Sequence, residues 1–359
     1  MERVELLAPA GDLERLKIAI EYGADAVYLG GENFGMRTAA KNFSNEDIKE
    51  GVKYAHKRGK KVFVTVNIIP HNKDFDGLAE YLIELEKAGV DALIASDPGV
   101  ISVIKDTIPN MEIHLSTQAN TTNYHSANFW YKQGVKRVVI ARELSFTEIK
   151  ELRDNIPEDM DVEAFMHGAM CISYSGRCLI SNYMTGRDAN RGSCAQSCRW
   201  KYSLVEEKRP GEYYPVYEDE RGTFFFNSKD LCMIEYVPEL IDSGITSLKI
   251  EGRMKTAYYV ATVVRAYRMA IDAYYEKRSE SFRPNQRAEL RLEATISDGV
   301  RLNGKLDAVE LDSHKRRAII TDYKTGKFFP SFSSINKDSI HAYANQLMFY
   351  KLLFESSNQ

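Results

Sequence analysis

The chain is 359 residues long, 44% apolar and 28% charged, with 48 basic against 51 acidic side chains. That length can bury a substantial core without disulfide staples. A formal charge of -3 excludes a general polybasic coat for nucleic acid, though not a local basic patch.

No stretch is apolar for long enough to suggest a membrane span. "MERVELLAPAGD" also lacks the charged leader and apolar run of a signal peptide. A cytoplasmic protein with no membrane partner is expected.

In chain order, the first strand is predicted at 4–9, "VELLAP". The helix "LERLKIAIEY" ends at Gly23, ahead of a strand at 26–29. "NEDIKEGVKYAHKR", with Ser44 as its N-cap, precedes "KVFVTVN" at 61–67. "FDGLAEYLIELEKA" ends before Gly89 and a strand at 92–95, and "EIHLST" follows at 112–117. Gly134 precedes 137–141, "DVEAFMHG" spans 161–168, and Gly244 precedes 247–250. Glycine just past a helix end takes the left-handed conformation at least cost. The apolar runs that follow suit strands covered on both faces.

Eight such strands alternating with helices predict a (β/α)8, TIM-like barrel. The alternative, a doubly wound sheet, would carry a glycine-rich dinucleotide fingerprint after the first strand, and none is present. In a barrel the chemistry belongs at the C-terminal strand ends. The polar residues there are Asp12, Glu32, Asn67, Asp97, Gln118, Arg142, Glu143, His167, Glu251 and Arg253. "SLKIEGRMK" adds Lys249 and Lys255, a basic group suited to a carboxylate-rich or phosphorylated substrate. Pairing with Glu251 is the structural alternative. His167, Glu251, Arg253 and Lys249 are the catalytic candidates.

The connection from Gly168 to Gly244 is far longer than an ordinary loop, and it holds all five cysteines. Cys171, Cys178, Cys194, Cys198 and Cys232 are separated by six, fifteen, three and thirty-three residues. No CxxC knuckle occurs, and the residues alone leave zinc and an iron–sulfur cluster both open. Within the same insertion, Arg187, Arg191 and Arg199 beside Trp200 and Tyr202 suit a single-stranded RNA loop, through phosphate pairing and base stacking. A solvated loop anchored by one tryptophan is the alternative.

"EAFMHGAMCISYSGRCLIS", from Glu163 to Ser181, resembles the signature of the U32, collagenase-like peptidase family. "LAPAGDLERLKIAIEYGADAVYLGG", "NRGSCAQSCRWKY", "FNSKDLC" and "SLKIEGRMK" are similar to that family as well, so the resemblance covers residues 1 to about 277. It implies one of two activities. Better understood relatives are oxygen-independent hydroxylases that bind a [4Fe–4S] cluster through four cysteines, with prephenate as the hydroxyl source. Their substrates are a tRNA wobble uridine, ribosomal RNA or a ubiquinone precursor, and the tRNA uridine branch looks most similar. The resemblance implies Cys171, Cys178, Cys194 and Cys232 as ligands, with Cys198 as the alternative to Cys194. The family name implies a peptidase instead. No nucleophile elbow or HExxH is present to support that reading, although His167 lies four residues before Cys171.

Composition changes after residue 277. Residues 278–286 read as a linker punctuated by Pro284. Beyond it, "KLDAVEL" and "RAIITDYK" predict two strands joined by a turn at Asp312–Lys315. They carry Asp307 and Asp322, two carboxylates that suit Mg²⁺, and Lys324, which would position or polarise the attacking water. Gln346 and Tyr350 share one face of a final helix. Residues 287–359 resemble part of the PD-(D/E)xK nuclease superfamily, in its RecB- and UvrD-associated branch, but lack the upstream helix such nucleases use. The resemblance implies a truncated α/β module with DNA as a possible partner.

Overall fold

The computed structural model describes residues 3–32, 34, 42–200, 203–204, 207–212, 214–215, 218–219, 222–223, 230–281, 286–295, 301–312 and 317–321. It divides into two units, at Tyr274/Tyr275.

The first unit is a closed parallel barrel. Its strands are β1 (Glu5–Pro9), β2 (Ala26–Gly30), β3 (Lys61–Thr65), β4 (Ala92–Ala95), β5 (Glu112–Leu115), β6 (Arg137–Val139), β7 (Asp161–Gly168) and β8 (Ser247–Ile250). Each pairs in parallel with the next from β1 to β7, and β8 closes the ring between β7 and β1. Seven fall within the predicted segments, and β2 extends one residue past its own, to Gly30.

The helices between them are α1 (Leu13–Glu21), α2 (Asn45–His56), α3 (Leu78–Ala88), α4 (Pro98–Thr107), α5 (Tyr124–Lys132) and α6 (Phe146–Asp154). Ser44 caps α2 in a reciprocal capping box with Asp47. Gly89 ends α3 in the left-handed conformation. Asp12 and Asp97 prove to be N-caps, accepting from the backbone of Arg15 and Val100.

The barrel interior is chemically divided. Leu7, Ala26, Tyr28, Phe63, Ala92 and Ile94 pack as one apolar cluster on β1 to β4. Strands β5 to β8 instead turn His114, Arg137, Glu163 and Lys249 inward, all buried. Arg137 bonds Glu5 at 2.5 Å, Asp161 at 3.2 Å and Glu163 at 3.2 Å. Glu163, fully buried, receives Lys249 Nζ at 2.7 Å. Burial alone would raise the Glu163 carboxyl, but Lys249, Arg137 and His114 outweigh it and hold its pKa low.

His114 is also fully buried and meets Glu112 at 2.8 Å through Nε2. Burial drives its pKa down against that carboxylate. The unfolded chain takes up a proton at this histidine below about pH 6.5, whereas the folded chain resists it. Stability is therefore expected to fall as pH drops through that window. Urea midpoints measured from roughly pH 7 to 5 should show the fall, and His114→Gln should flatten it. An unchanged slope in the variant would remove His114 as the cause.

Between β7 and β8 the chain forms α7 (Ile180–Thr185), several short turns and ladders, and α8 (Val237–Asp242). Helix α9 (Ala257–Ser281) follows β8 and runs into the first residues of the stretch read as a linker, 278–281.

In the second unit the described residues beyond α9 are all strand. These are β9 (Gln286–Thr295), β10 (Arg301–Asp312) and β11 (Arg317–Thr321), an antiparallel meander in which Ala308 pairs with Ala288 and with Thr321. The two predicted strands are β10 and β11, and β9 was not expected. Asp307 lies on β10. Asp322, Lys324, Gln346 and Tyr350, the rest of the nuclease expectation, lie outside the described residues. Among the described residues, no helix is long and apolar enough to cross a membrane.

Candidate active site

A cavity of about 160 Å³ opens at the C-terminal ends of the barrel strands. Tyr28, Thr65, Asn67, Ile94, Gln118, Arg142, Phe165, Lys249, Glu251 and Arg253 supply its barrel side. Cys171, Cys178, Cys194 and Cys198 line it from the insertion. The insertion therefore folds back over the mouth, and specific contacts hold it there.

Arg142 is the main fastening. From the end of β6 its guanidinium donates to the Ala169 carbonyl at 2.7 Å and to Ser175 Oγ at 2.9 Å. It also approaches Cys171 Sγ at 3.9 Å and stacks 4.7 Å above the Phe165 ring. Ser181, at the start of α7, joins the segments of Cys178 and Cys194. Its hydroxyl accepts from Ala195 N at 2.9 Å and donates to the Arg187 carbonyl at 2.8 Å.

Arg199 donates to the Met170 carbonyl at 3.1 Å and pairs with Asp230 at 2.8 Å, which places Cys198 beside the Cys171 loop. Arg191 pairs with Asp74 at 2.6 Å, beyond β3. Of the three arginines expected to meet RNA, two are thus occupied in holding the insertion. Arg187 is exposed, and Trp200 is 46% exposed.

Cys178, Cys194 and Cys198 are half-buried, and Cys171 and Cys232 are exposed. Burial pushes the Cys198 thiol up, and neighbouring Cys171 and Cys194 push the same way. The backbone N–H of Gln196 donates to Cys194 Sγ at 3.3 Å. Among the described residues, no three His, Cys, Asp or Glu side chains converge on a single metal ion. Cys232 is placed differently from the other four. It sits in a two-residue ladder, Leu231–Cys232, that pairs antiparallel with the end of β7 and sets Cys232 opposite His167.

His167 does not line the cavity. Strict alternation along β7 would put it on the inward face with Glu163 and Phe165. A register shift between Lys249 and Ile250 on β8 adds one residue to the β7 side, so Phe165 pairs with Lys249 but His167 with Ile250. The ring is turned toward α9, where Nδ1 meets the Tyr267 hydroxyl at 3.3 Å. Burial lowers its pKa.

The other catalytic candidates do reach the cavity. Lys249 is paired with Glu163, not Glu251, and lies 4.4 Å from the Tyr28 ring centre. Arg253 crosses the mouth to donate to Thr65 Oγ1 at 3.3 Å and Asn42 Oδ1 at 2.9 Å. Its guanidinium fills the space over Gly30, where a Cβ would come within 2.1 Å of Nη2. Glu251 accepts from the Ala169 N–H at 3.4 Å across Gly168, whose φ of +110° and contact with the Glu251 backbone exclude a side chain.

Arg142, Ser181 and Glu163 are the residues that sequence reasoning missed. Arg142 was recognised only as a strand-end residue. The signal for Glu163 was the charged–apolar alternation in "DVEAF".

The sequence matches peptidase family U32 over residues 11–300, past residue 277 and through β9. The chain belongs to the U32 family. It is 51% identical over 273 residues to tRNA hydroxylation protein P1 of Bacillus subtilis, covering 76% of this chain and 64% of that protein. It is 42% identical over 311 residues to tRNA hydroxylation protein P of Escherichia coli, covering 76% of this chain and 68% of that one. A third relative, the E. coli 23S rRNA 5-hydroxycytidine C2501 synthase, is 40% identical over 278 residues, covering 77% of this chain and 41% of that protein. The chain thus spans about two thirds of the length of these two tRNA hydroxylation proteins.

Proposed function

We propose that this U32 chain is an iron–sulfur RNA hydroxylase that converts a tRNA uridine, at the wobble position, to 5-hydroxyuridine, with prephenate as hydroxyl donor. The observation that carries this reading is the set of four cysteines lining one cavity at the barrel mouth. The names of the relatives, tRNA hydroxylation proteins and an rRNA 5-hydroxycytidine synthase, support the RNA substrate.

The donor set fits a cluster. All-thiolate ligation suits iron–sulfur or zinc, but a tetrahedral zinc would draw its sulfurs to about 2.3 Å from one point. Four cysteines line one cavity, the number a cluster takes, and a backbone N–H donates to one sulfur. Cys171, Cys178 and Cys194 would hold the group. The fourth thiol is Cys232, with Cys198, which shares the cavity, as the alternative to Cys194. When bound, such a cluster supplies one-electron chemistry.

The chain's own residues do the rest. Arg253 and Lys249, the latter already paired with Glu163, stand on one wall of the cavity and offer donors to the carboxylates of prephenate. Exchange of the prephenate hydroxyl for the pyrimidine C5 hydrogen needs neither dioxygen nor an external oxidant. Around the rim, Tyr183 is 88%, Tyr258 81% and Trp200 46% exposed. All three follow C-terminal strand ends, where they can stack on unpaired bases. A tyrosine or tryptophan lost from this rim is expected to weaken single-stranded RNA binding by about 1–3 kcal/mol. Tyr183→Ala and Trp200→Ala, titrated against an anticodon stem-loop, check this, and unchanged affinity in both would remove the rim as the RNA surface.

The peptidase alternative needs an activated nucleophile. His167 Nδ1 instead meets the Tyr267 hydroxyl. In the second unit, Mg²⁺-dependent action on DNA through Asp307, Asp322 and Lys324 stays a separate proposal, tested by nuclease assay of Asp322→Ala.

The deciding experiment for the hydroxylase is anaerobic purification followed by iron and sulfide assays. Visible absorption with about four irons per chain is expected, together with gain of one oxygen on a tRNA uridine when prephenate is supplied. Iron-free, zinc-loaded protein would overturn the reading.

A further inference from the structure

One cavity residue has a hydrogen-bonding capacity that the protein itself leaves unused. Gln118 lies in the short turn Thr117–Ala119 after β5 and is only 6% exposed. Its amide is oriented by a relay. Asn67 Nδ2 donates to Ser116 Oγ at 3.2 Å, and the Ser116 hydroxyl donates to Gln118 Oε1 at 3.5 Å. That fixes the oxygen end toward the protein. The Nε2 end is buried beside Gly176 and has no acceptor, and Gln118 lines the cavity. Buried donors are almost always paired, so an unpaired one on a residue of the cavity wall marks where a ligand acceptor belongs.

The surroundings say what kind of acceptor. The wall formed by Asn67, Ser116, Thr117 and Gln118 is neutral, while the cations Lys249, on β8, and Arg253, just after it, stand with Glu251 on another wall. A carboxylate is best met at the charged wall. A carbonyl on an uncharged ring fits the neutral one, with Ile94 and Ile172 as apolar neighbours. The turn is also tied to the cysteine loop. Asn120 Nδ2 donates to the Ser175 carbonyl at 3.1 Å, its Oδ1 accepts from Arg177 at 2.9 Å, and a Cβ at Gly176 would lie 3.1 Å from Gln118. The amide therefore sits beside the loop that carries Cys171 and Cys178.

We infer that Gln118 determines base specificity, its side-chain NH₂ donating to the 4-carbonyl of a uracil seated in the cavity. The inference rests on the hydroxylation reading, in which carbon 5 must face the cysteine loop and carbon 4 is its ring neighbour. Cytosine presents an amino group at that position, so donor would meet donor. The 2-carbonyl, common to both bases, could not discriminate.

The test is fluorescence anisotropy of the full chain with two labelled anticodon-type stem-loop RNAs, identical except for uridine or cytidine at one loop position. The wild type is expected to prefer the uridine RNA by about tenfold, the worth of one such hydrogen bond. Gln118→Leu should bind both alike. Gln118→Glu, of nearly the same shape, should lose the uridine preference or reverse it. Ser116→Ala, which frees the amide to rotate, should give a smaller loss in the same direction. If the variants keep the wild-type ratio, or the wild type binds both RNAs equally, Gln118 does not read the base and the RNA reading stands. If the wild type binds neither RNA, the RNA reading falls and the inference falls with it.

Discussion

Glu163→Leu is expected to cost about 3–5 kcal/mol of stability, because it leaves a buried cation without its partner. Glu163 is fully buried and receives Lys249 at 2.7 Å, Arg137 at 3.2 Å and Ser247 Oγ at 3.4 Å. Arg137 would keep Glu5 and Asp161. Lys249 would keep only the faces of Tyr28 and Phe165, at 4.4 and 5.3 Å, which are worth far less than a carboxylate in a desolvated site. The Glu163→Leu/Lys249→Met double variant should recover most of the loss, since replacing both charges by apolar groups leaves nothing unpaired. Urea unfolding of the three proteins measures this. A single variant within about 1 kcal/mol of wild type, or a double variant no better than the single, would show that the pair does not hold the barrel interior together.

The same pair explains where the sequence was legible and where it was not. The eight strands were readable because each apolar run follows a helix, a glycine or a loop break, and burial on both faces leaves little ambiguity in short parallel strands. The inward charges were not. β6 spans three residues and β8 four, too few for a period of two to stand out from the apolar background. Lys249 was therefore assigned to the mouth alone, although it is also the upper end of an interior charge network.

His167 failed for a different reason. Its position at the end of β7 was read correctly, but a one-residue register shift decides which way a side chain points, and nothing in "EAFMHG" announces it. The long insertion and its cysteines were plain from loop length and clustering. The fastenings by Arg142, Ser181 and Arg199 were hidden, because contacts between residues far apart in the chain leave no local pattern.

Those fastenings bear on the second large effect. Cys178→Ser, purified anaerobically, is expected to lose the cluster and, with it, RNA hydroxylation, since a serine hydroxyl is a poor replacement for thiolate at iron. Folding should survive the change. Cys178 lies at the mouth, outside the apolar cluster of Leu7, Tyr28, Phe63 and Ile94, and Ser181 still ties α7 to the segment carrying Cys194. The variant should therefore keep its helical content and its affinity for an anticodon stem-loop while turning colourless, which separates loss of the cofactor from loss of the fold. The parallel pair Cys198→Ser and Cys232→Ser identifies the fourth ligand, because the variant that retains its iron exposes the cysteine the cluster does not use. Cys198 shares the cavity with the other three, whereas Cys232 stands opposite His167 on the edge of β7. If Cys178→Ser kept full iron and sulfide, the cavity thiols would not be the ligands, and the hydroxylase reading would lose the observation on which it rests.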